Sequence, residues 1–421
     1  MSLKKLLAAS LVATAIAGPA AAETNLRLVE VITSPERTKV LQSIVSEFEA
    51  ENPGTNVEII SLPWGQAFEK FATMVSAGQT PDVVEMPDTW AALYANNGAL
   101  ESLEPYLKSW DGTEKLNART IEMARSGSGT AYMLPYGFYL RAMFYNKKLF
   151  KEAGVENPPV TLDDFRDAAE KVSALPGKYG FCLRGGSGGL NGWAVFGATA
   201  AGTDQFFDEE GNSIMSTDAW IKGAQFMVDL YQDGLAPKDS LNWGFNEIVA
   251  GFYSGTCAML DQDPDALIGI SQRMDPNDFG VTTMPKGPNG KAYPTIGYAG
   301  WSMFADSEDK DASWKLIAKL QSRDANLEWS KRVGTLPIYK DAESDPHYNT
   351  PQFAGWFEEL SDPDVHPLTM PTHLEEFAFF KDSISIRTSQ EALLGRKSAE
   401  ELGKEWGDYL TTAQKKWLAK Q

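Results

Sequence analysis

A chain of 421 residues with 57 acidic and 38 basic side chains carries a formal charge of −19. That sign repels phosphate backbones and anionic membranes, which argues against a nucleic-acid partner. With 43% hydrophobic and 11% aromatic residues and no long block of one charge, the chain can build a large core, in two to three domains or two lobes of one design.

The first 22 residues read as a separate object. Lys4 and Lys5 form a positive start, Leu6 to Ala17 is a short apolar run, and Ala20-Ala21-Ala22 suits a cleavage site. This pattern predicts a secretory signal peptide cut after Ala22. The run is too short to span a membrane, and no Cys follows the cut to carry a lipid. The expected location is a bacterial periplasm, where chemistry that needs cytoplasmic ATP or NADH is out of reach.

Beyond it, Leu26 to Val31 predicts a strand. Thr33 with Glu36 can form a capping box before a helix with Pro35 in its first turn and Val40, Leu41, Ile44, Val45 and Phe48 on one face. Val57 to Ile60 predicts a second strand, and Phe68, Phe71, Ala72 and Val75 a second helix. Val83-Val84 opens a third strand, and Asp88 can cap the helix that ends at Asn97-Gly98. The alternation β-α-β-α-β-α predicts a mostly parallel sheet covered by helices. A second α/β region begins near Tyr139. It has strands at Leu140 to Tyr145 and Tyr179 to Leu183, a helix capped by Thr161 and Asp164, and a long helix over Thr217 to Gln232. A short strand at Cys257 to Leu260 follows, then helices carrying Ala312, Leu316 and Leu320, and finally Ala399 to Lys416.

The chain has two cysteines, Cys182 and Cys257. An oxidising compartment permits a disulfide between them, and two buried thiols fit equally well. They cannot build a tetrahedral thiolate site, and His347, His366 and His373 lack ligand spacing such as HExxH, so no metal and no cofactor is expected. Gly185-Gly186-Ser187-Gly188-Gly189 matches G-x-S-x-G between a strand and a helix, the context of a nucleophile elbow. A tight glycine turn opening a helix explains it as well. Carboxylate pairs for a glycosidase are too many for the sequence to favour one. The aromatic residues are more informative. Trp64, Trp90, Tyr136, Tyr139, Trp193, Trp243, Tyr298 and Trp301 mostly fall at turns or strand ends beside Gly, Pro, Asn or Asp, where flat rings next to polar groups suit the faces of sugars.

Several segments resemble a known family in order and spacing. They are Asn52-Pro53-Gly54 before a strand, Ala77-Gly78-Gln79-Thr80-Pro81-Asp82-Val83-Val84, Met133-Leu134-Pro135, Phe144 to Phe150 with Ala153-Gly154, Pro158 to Phe165, and Gly255 to Met259. Together they resemble the periplasmic solute-binding proteins of ABC importers, in the carbohydrate-binding group with maltose-, glycerol-phosphate- and polyol-binding members. Leu162 stands where many members have Trp. Met86 stands where maltose-type relatives carry a stacking Trp, which counts against a maltodextrin.

The resemblance implies an α/β, two-lobed, type II-like binding-protein fold. Each lobe would be a mixed, mostly parallel sheet flanked by helices, with the ligand cleft at the hinge. The expected division is 23–139 with 303–338 in the first lobe and 140–302 with 339–421 in the second. The chain would cross at Leu140 to Tyr145 and again at Tyr298 to Phe304. Ligand residues are expected beyond strand C-termini: Trp64, Glu85, Met86, Asp88 and Trp90 in the first lobe, and Asn191, Trp193, Trp243, Asp261 and Asp263 in the second. Tyr136, Tyr139 and Arg141 lie at the first crossing and Tyr298 and Trp301 at the second, with Arg332 nearby. Rings would stack on sugars, carboxylates would accept from hydroxyls, and Arg141 or Arg332 could donate two parallel bonds to hydroxyl oxygens or to an anion. The implied protein is a monomeric carbohydrate receptor, not an enzyme, working with two permease subunits and a cytoplasmic ATPase. An anionic sugar derivative such as a glycerol phosphate or sulfonated sugar, or a secreted glycoside hydrolase, are the alternatives.

Overall fold

The computed structural model describes residues 23–125 and 129–420; the signal peptide expected over residues 1–22 lies outside them. Strands β1 (Thr24–Glu30), β2 (Thr55–Ser61) and β3 (Val83–Pro87) are parallel, with β1 in the middle. Helices α1 (Pro35–Glu51), α2 (Trp64–Ser76) and α3 (Asp88–Asn96) connect and follow them. The N-cap of α1 is Ser34, whose Oγ accepts from the Arg37 N–H at 3.3 Å, rather than Thr33. Proline favours the first helical position, so Pro35 hands the cap to the residue directly before it.

Three later strands complete this first sheet. Strand β4 (Leu134–Leu140) is antiparallel to β9 (Thr295–Met303), and β9 is antiparallel to β3, giving the order β10-β9-β3-β1-β2 with β4 on β9 and β10 at Leu368–Thr369. Helices Lys310–Leu320 and Arg323–Val333 return to pack on α1. The second sheet has the order β6-β7-β5-β8, built from β5 (Ala142–Asn146), β6 (Tyr179–Phe181), β7 (Cys257–Gln262) and β8 (Phe279–Thr282). Both sheets are mixed; β5 runs antiparallel to both its neighbours. Helices Leu190–Ala201, Asp218–Gln232 and Ala399–Leu418 cover it, and Trp193, Trp220 and Trp406 meet in the core between them at 5.8–5.9 Å.

The strand expected over 140–145 divides at one residue. β4 ends at Leu140 and β5 begins at Ala142, so the chain changes sheet at Arg141, whose N–H donates to the Thr295 carbonyl. The second passage is earlier than expected. Along β9 the pairing with β3 and β4 runs from Ile296 to Met303, entirely in the first sheet, so the chain crosses between Thr282 and Thr295 rather than at 298–304, and a boundary after residue 302 cuts this strand. Glycine allows β9 to lie there, since a Cβ on Gly300 would come within 2.3 Å of the Leu134 carbonyl oxygen. Cys182 and Cys257 form a disulfide that ties the end of β6 to the start of β7. Among the described residues no helix is long and apolar enough to cross a membrane.

Candidate functional site

The strand ends of the two sheets meet around three groups of side chains. The deepest is centred on Glu85 in β3, which is fully buried. Its Oε2 accepts from the N–H groups of Val31 and Ile32 at 2.8 and 3.0 Å, and its Oε1 from Tyr136 Oη at 2.7 Å and Arg37 Nη2 at 3.1 Å. Tyr136 Oη is also 3.1 Å from Tyr139 Oη. With four donors in place Glu85 is saturated, and its work is to fix the β1–α1 turn, the Arg37 guanidinium and two tyrosines. Arg37 also lies 5.3 Å from the Trp329 ring centroid.

The second group is aromatic. Trp64 and Trp90, at the starts of α2 and α3, stack nearly parallel at 5.8 Å and 7°. Trp90 is buried against Phe68 and Phe71, whereas Trp64 remains partly open. From the C-terminal segment Asp382 accepts from Trp90 Nε1 at 3.0 Å, and Lys381 Nζ lies 5.1 Å from the Trp64 ring centroid.

The third group is charged. Arg141 Nη1 donates to the Asp261 carbonyl at 2.7 Å and to its carboxylate, while Arg141 Nε and Nη2 are buried with no hydrogen-bond partner. Arg184, just after β6, donates Nε to the Ser187 carbonyl at 2.6 Å, and a Cβ on Gly188 would clash with its guanidinium. The Gly185–Gly189 run is thus a turn folded around an arginine. At the end of β7, Gln262 Nε2 lies 3.3 Å from Asp263 Oδ2 and 3.4 Å from Asp265 Oδ1. Gly334, in the left-handed conformation at the end of helix Arg323–Val333, presses on Asp265: a Cβ there would sit 2.5 Å from the Asp265 Cα. The backbone at the end of this helix thus touches the backbone of Pro264 and Asp265.

Burial dominates the titration of this group. It pushes Asp265 up to about 7, with the neighbouring Asp263 carboxylate adding to the effect, and it raises Asp261 and Asp263 against the opposing charge of Arg141. It brings Arg184 down to about 10, helped by Arg141. Asp88 rises to about 6 through burial, opposed by Lys381. A carboxylate raised above its unfolded value binds a proton that the unfolded chain has released, so its contribution to stability is present in acid and lost as pH rises through the folded value. Thermal melting should therefore show these groups favouring pH 5 over pH 8. Asp265→Asn should flatten the slope between pH 5 and 8, and an unchanged slope would remove Asp265 as its source.

The expected ligand residues divide in this structure. Trp64, Trp90, Tyr139, Arg141, Asp261 and Asp263 gather at the meeting of the sheets. Trp243 is half-buried beside the glycine turn, its carbonyl accepting from Gly186 N–H at 2.9 Å. Asn191 sits in the first turn of helix Leu190–Ala201, next to Gly192, where a Cβ would lie 3.4 Å from Asp261 Oδ2. Asp88 accepts from Thr89 and Tyr298 N–H groups and lines a small cavity with Tyr298, whose hydroxyl donates to the Met123 carbonyl. The others are engaged elsewhere. Glu85 and Tyr136 are committed to each other, Met86 is packed inside the first sheet, and Trp301 is enclosed between Tyr136 and Trp329. Trp193 is a core ring against Trp406. An apolar ring on a sheet or helix face turned toward a core is buried there. Arg332 is exposed and pairs with Glu328 one helical turn away.

Arg37, Arg184, Asp265, Lys381 and Asp382 lie beside these residues and are not among the sequence candidates. Asp265 continues the i, i+2, i+4 alternation begun by Asp261 and Asp263. Arg37 is a charge on the apolar face of α1, and Arg184 follows a strand end. Lys381 and Asp382 carry no local signal.

The family model of bacterial extracellular solute-binding proteins matches residues 33–327, and this chain belongs to that family. A protein of Brucella abortus strain 2308, described as a binding protein, is 29% identical over 333 residues, 78% of this chain and 79% of that one. The sn-glycerol-3-phosphate-binding periplasmic protein UgpB of Escherichia coli O6:K15:H31 is 25% identical over 349 residues, 78% of this chain and 77% of its own. The GacH receptor of Streptomyces glaucescens, solved unliganded and with acarbose, superposes with a TM-score of 0.81 at 22% identity, covering 93% of this chain and 99% of that one. The likeness confirms a two-lobed fold.

Proposed function

We propose that this protein is a periplasmic receptor that delivers a neutral carbohydrate, whether sugar, oligosaccharide, glycoside or polyol, to an ABC importer. The observation that carries this reading is the pairing of a partly open tryptophan shelf, Trp64 on Trp90, with charges of both signs. Arg141 and Arg184 supply donors, and Asp261, Asp263 and Asp265 supply acceptors. A polyhydroxylated ring offers an apolar face to the former and both donors and acceptors to the latter. The protein acts as a monomer without cofactor or turnover. It closes its lobes, 23–139 with 296–338 against the remainder, and a permease with its ATPase reads the closed state. Export through a cleaved signal peptide places it where that permease opens.

A second reading is an anionic sugar derivative. The buried, unpartnered Nε and Nη2 of Arg141 favour it, because that edge of a guanidinium fits two oxygens of a carboxylate, phosphate or sulfonate. Three neighbouring aspartates weigh against it. A thermal-shift panel of monosaccharides, α- and β-linked disaccharides, polyols, glycerol phosphates and sulfonated sugars decides between them. A ligand at about 100 times its Kd stabilises the native state by about 2.7 kcal/mol. A shift with a neutral class, the sugar recovered intact, is the expected result; a shift confined to anions selects the second reading, and cleaved products sink both.

A further inference from the structure

The C-terminal segment contains one π-helical turn, Phe380–Ile384, between a short helical turn and the helix Ser385–Leu393. Such turns widen a helix locally and gather at functional sites. This one is anchored on the second lobe: Phe380 packs on Trp406 at 5.6 Å and on Tyr409 at 5.4 Å, and Ser385 Oγ donates to the Lys381 carbonyl at 2.7 Å. Yet two of its side chains point to the first lobe. Asp382 holds Trp90 Nε1 and Lys381 overlies Trp64, and the two are 3.3 Å apart, with side chains only 8% and 5% exposed. An ammonium over the one partly open ring of the shelf occupies the position that a stacked ligand would take. A lysine and an aspartate side by side also supply the donor and acceptor that a vicinal diol needs.

We propose that Lys381 and Asp382 are solute-binding residues which the second lobe brings to the Trp64–Trp90 shelf. A sugar ring stacked on Trp64 takes the place of the Lys381 ammonium, accepts from Lys381 through one hydroxyl, and donates to Asp382 through its neighbour. Because the ring then touches Trp64 in one lobe and Lys381 and Asp382 in the other, binding and closure are one event. The inference rests on the carbohydrate reading above.

The test is titration calorimetry of the mature protein with D-glucose, D-galactose, D-xylose, maltose, cellobiose and D-sorbitol, for the wild type, Lys381→Met and Asp382→Asn. Both substitutions keep the volume over the shelf. The sugar that binds the wild type should bind each variant about ten- to a hundredfold more weakly, the loss of one hydrogen bond to a charged group. Each single variant leaves one member of a buried pair without its partner and should melt lower, so affinities are measured where all proteins are fully folded, and the double variant, in which neither charge is left alone, is measured beside them. Wild-type affinity in both variants overturns the assignment while the carbohydrate reading stands. Affinity restored to the wild-type value in the double variant also overturns it, because the pair then acts only by partnering itself; a solute-binding pair loses both hydrogen bonds there and binds more weakly still. A wild type that binds none of the six overturns the carbohydrate reading, and this assignment falls with it.

Discussion

Glu85→Ala should destabilise the protein by about 3–5 kcal/mol, the range for leaving one partner of a buried ion pair without the other. The substitution strands the Arg37 guanidinium, whose residue is 6% exposed, together with two backbone N–H groups and the Tyr136 hydroxyl. Glu85→Gln should cost less, since an amide oxygen still accepts from the backbone, but it removes the charge facing Arg37. Combining it with Arg37→Met tests the account. The two residues touch, so their effects should be strongly non-additive, the second substitution costing little once the first is present. Chemical denaturation of the four proteins gives the coupling, and simple additivity would show that the pair is not a unit. Arg332→Ala, a surface pair one helical turn from Glu328, is the control and should stay within about 0.5 kcal/mol of the wild type.

Replacing both cysteines by serine should cost at least about 4.5 kcal/mol. The bond joins positions 75 residues apart, and closing a loop of that length in the unfolded chain accounts for this amount in the chain-entropy model. Both cysteines are fully buried, Cys182 in the layer that includes Trp243 and Gly251. The hydroxyls therefore add a desolvation cost of their own. Thermal melting with and without dithiothreitol separates the two contributions. Reductant should lower the melting temperature of the wild type and leave that of the double variant unchanged. A wild type indifferent to reductant would mean that the thiols, not the bond, stabilise the second sheet.

The candidate site was legible in part. Trp64, Trp90, Trp243, Arg141 and Asp263 stood out because each is a ring or charge next to a strand end or turn, and that context is local. Trp193 and Trp301 have equally suggestive neighbours in sequence but face cores, and which face of an element meets another lobe is not a local property. Lys381 and Asp382 meet Trp90 and Trp64 across roughly three hundred residues of chain. No periodicity spans that distance. The π-turn that aims them is set by Phe380 on Trp406 and not by any capping signal.

By itself, the sequence determined the elements and their class. Period-two runs such as Leu26 to Val31, the Thr161–Asp164 capping box and the amphipathic Ala399–Leu418 helix depend on contacts within a few residues, and their energetics are written in the residues concerned. Only the tertiary structure decided where the chain crosses between sheets, that Glu85 is spent on Arg37 and Tyr136, that the cysteines are bonded, and which charges gather at the seam. Those outcomes rest on desolvation and on hydrogen bonds between residues remote in the chain. Their sign depends on what else is buried beside them.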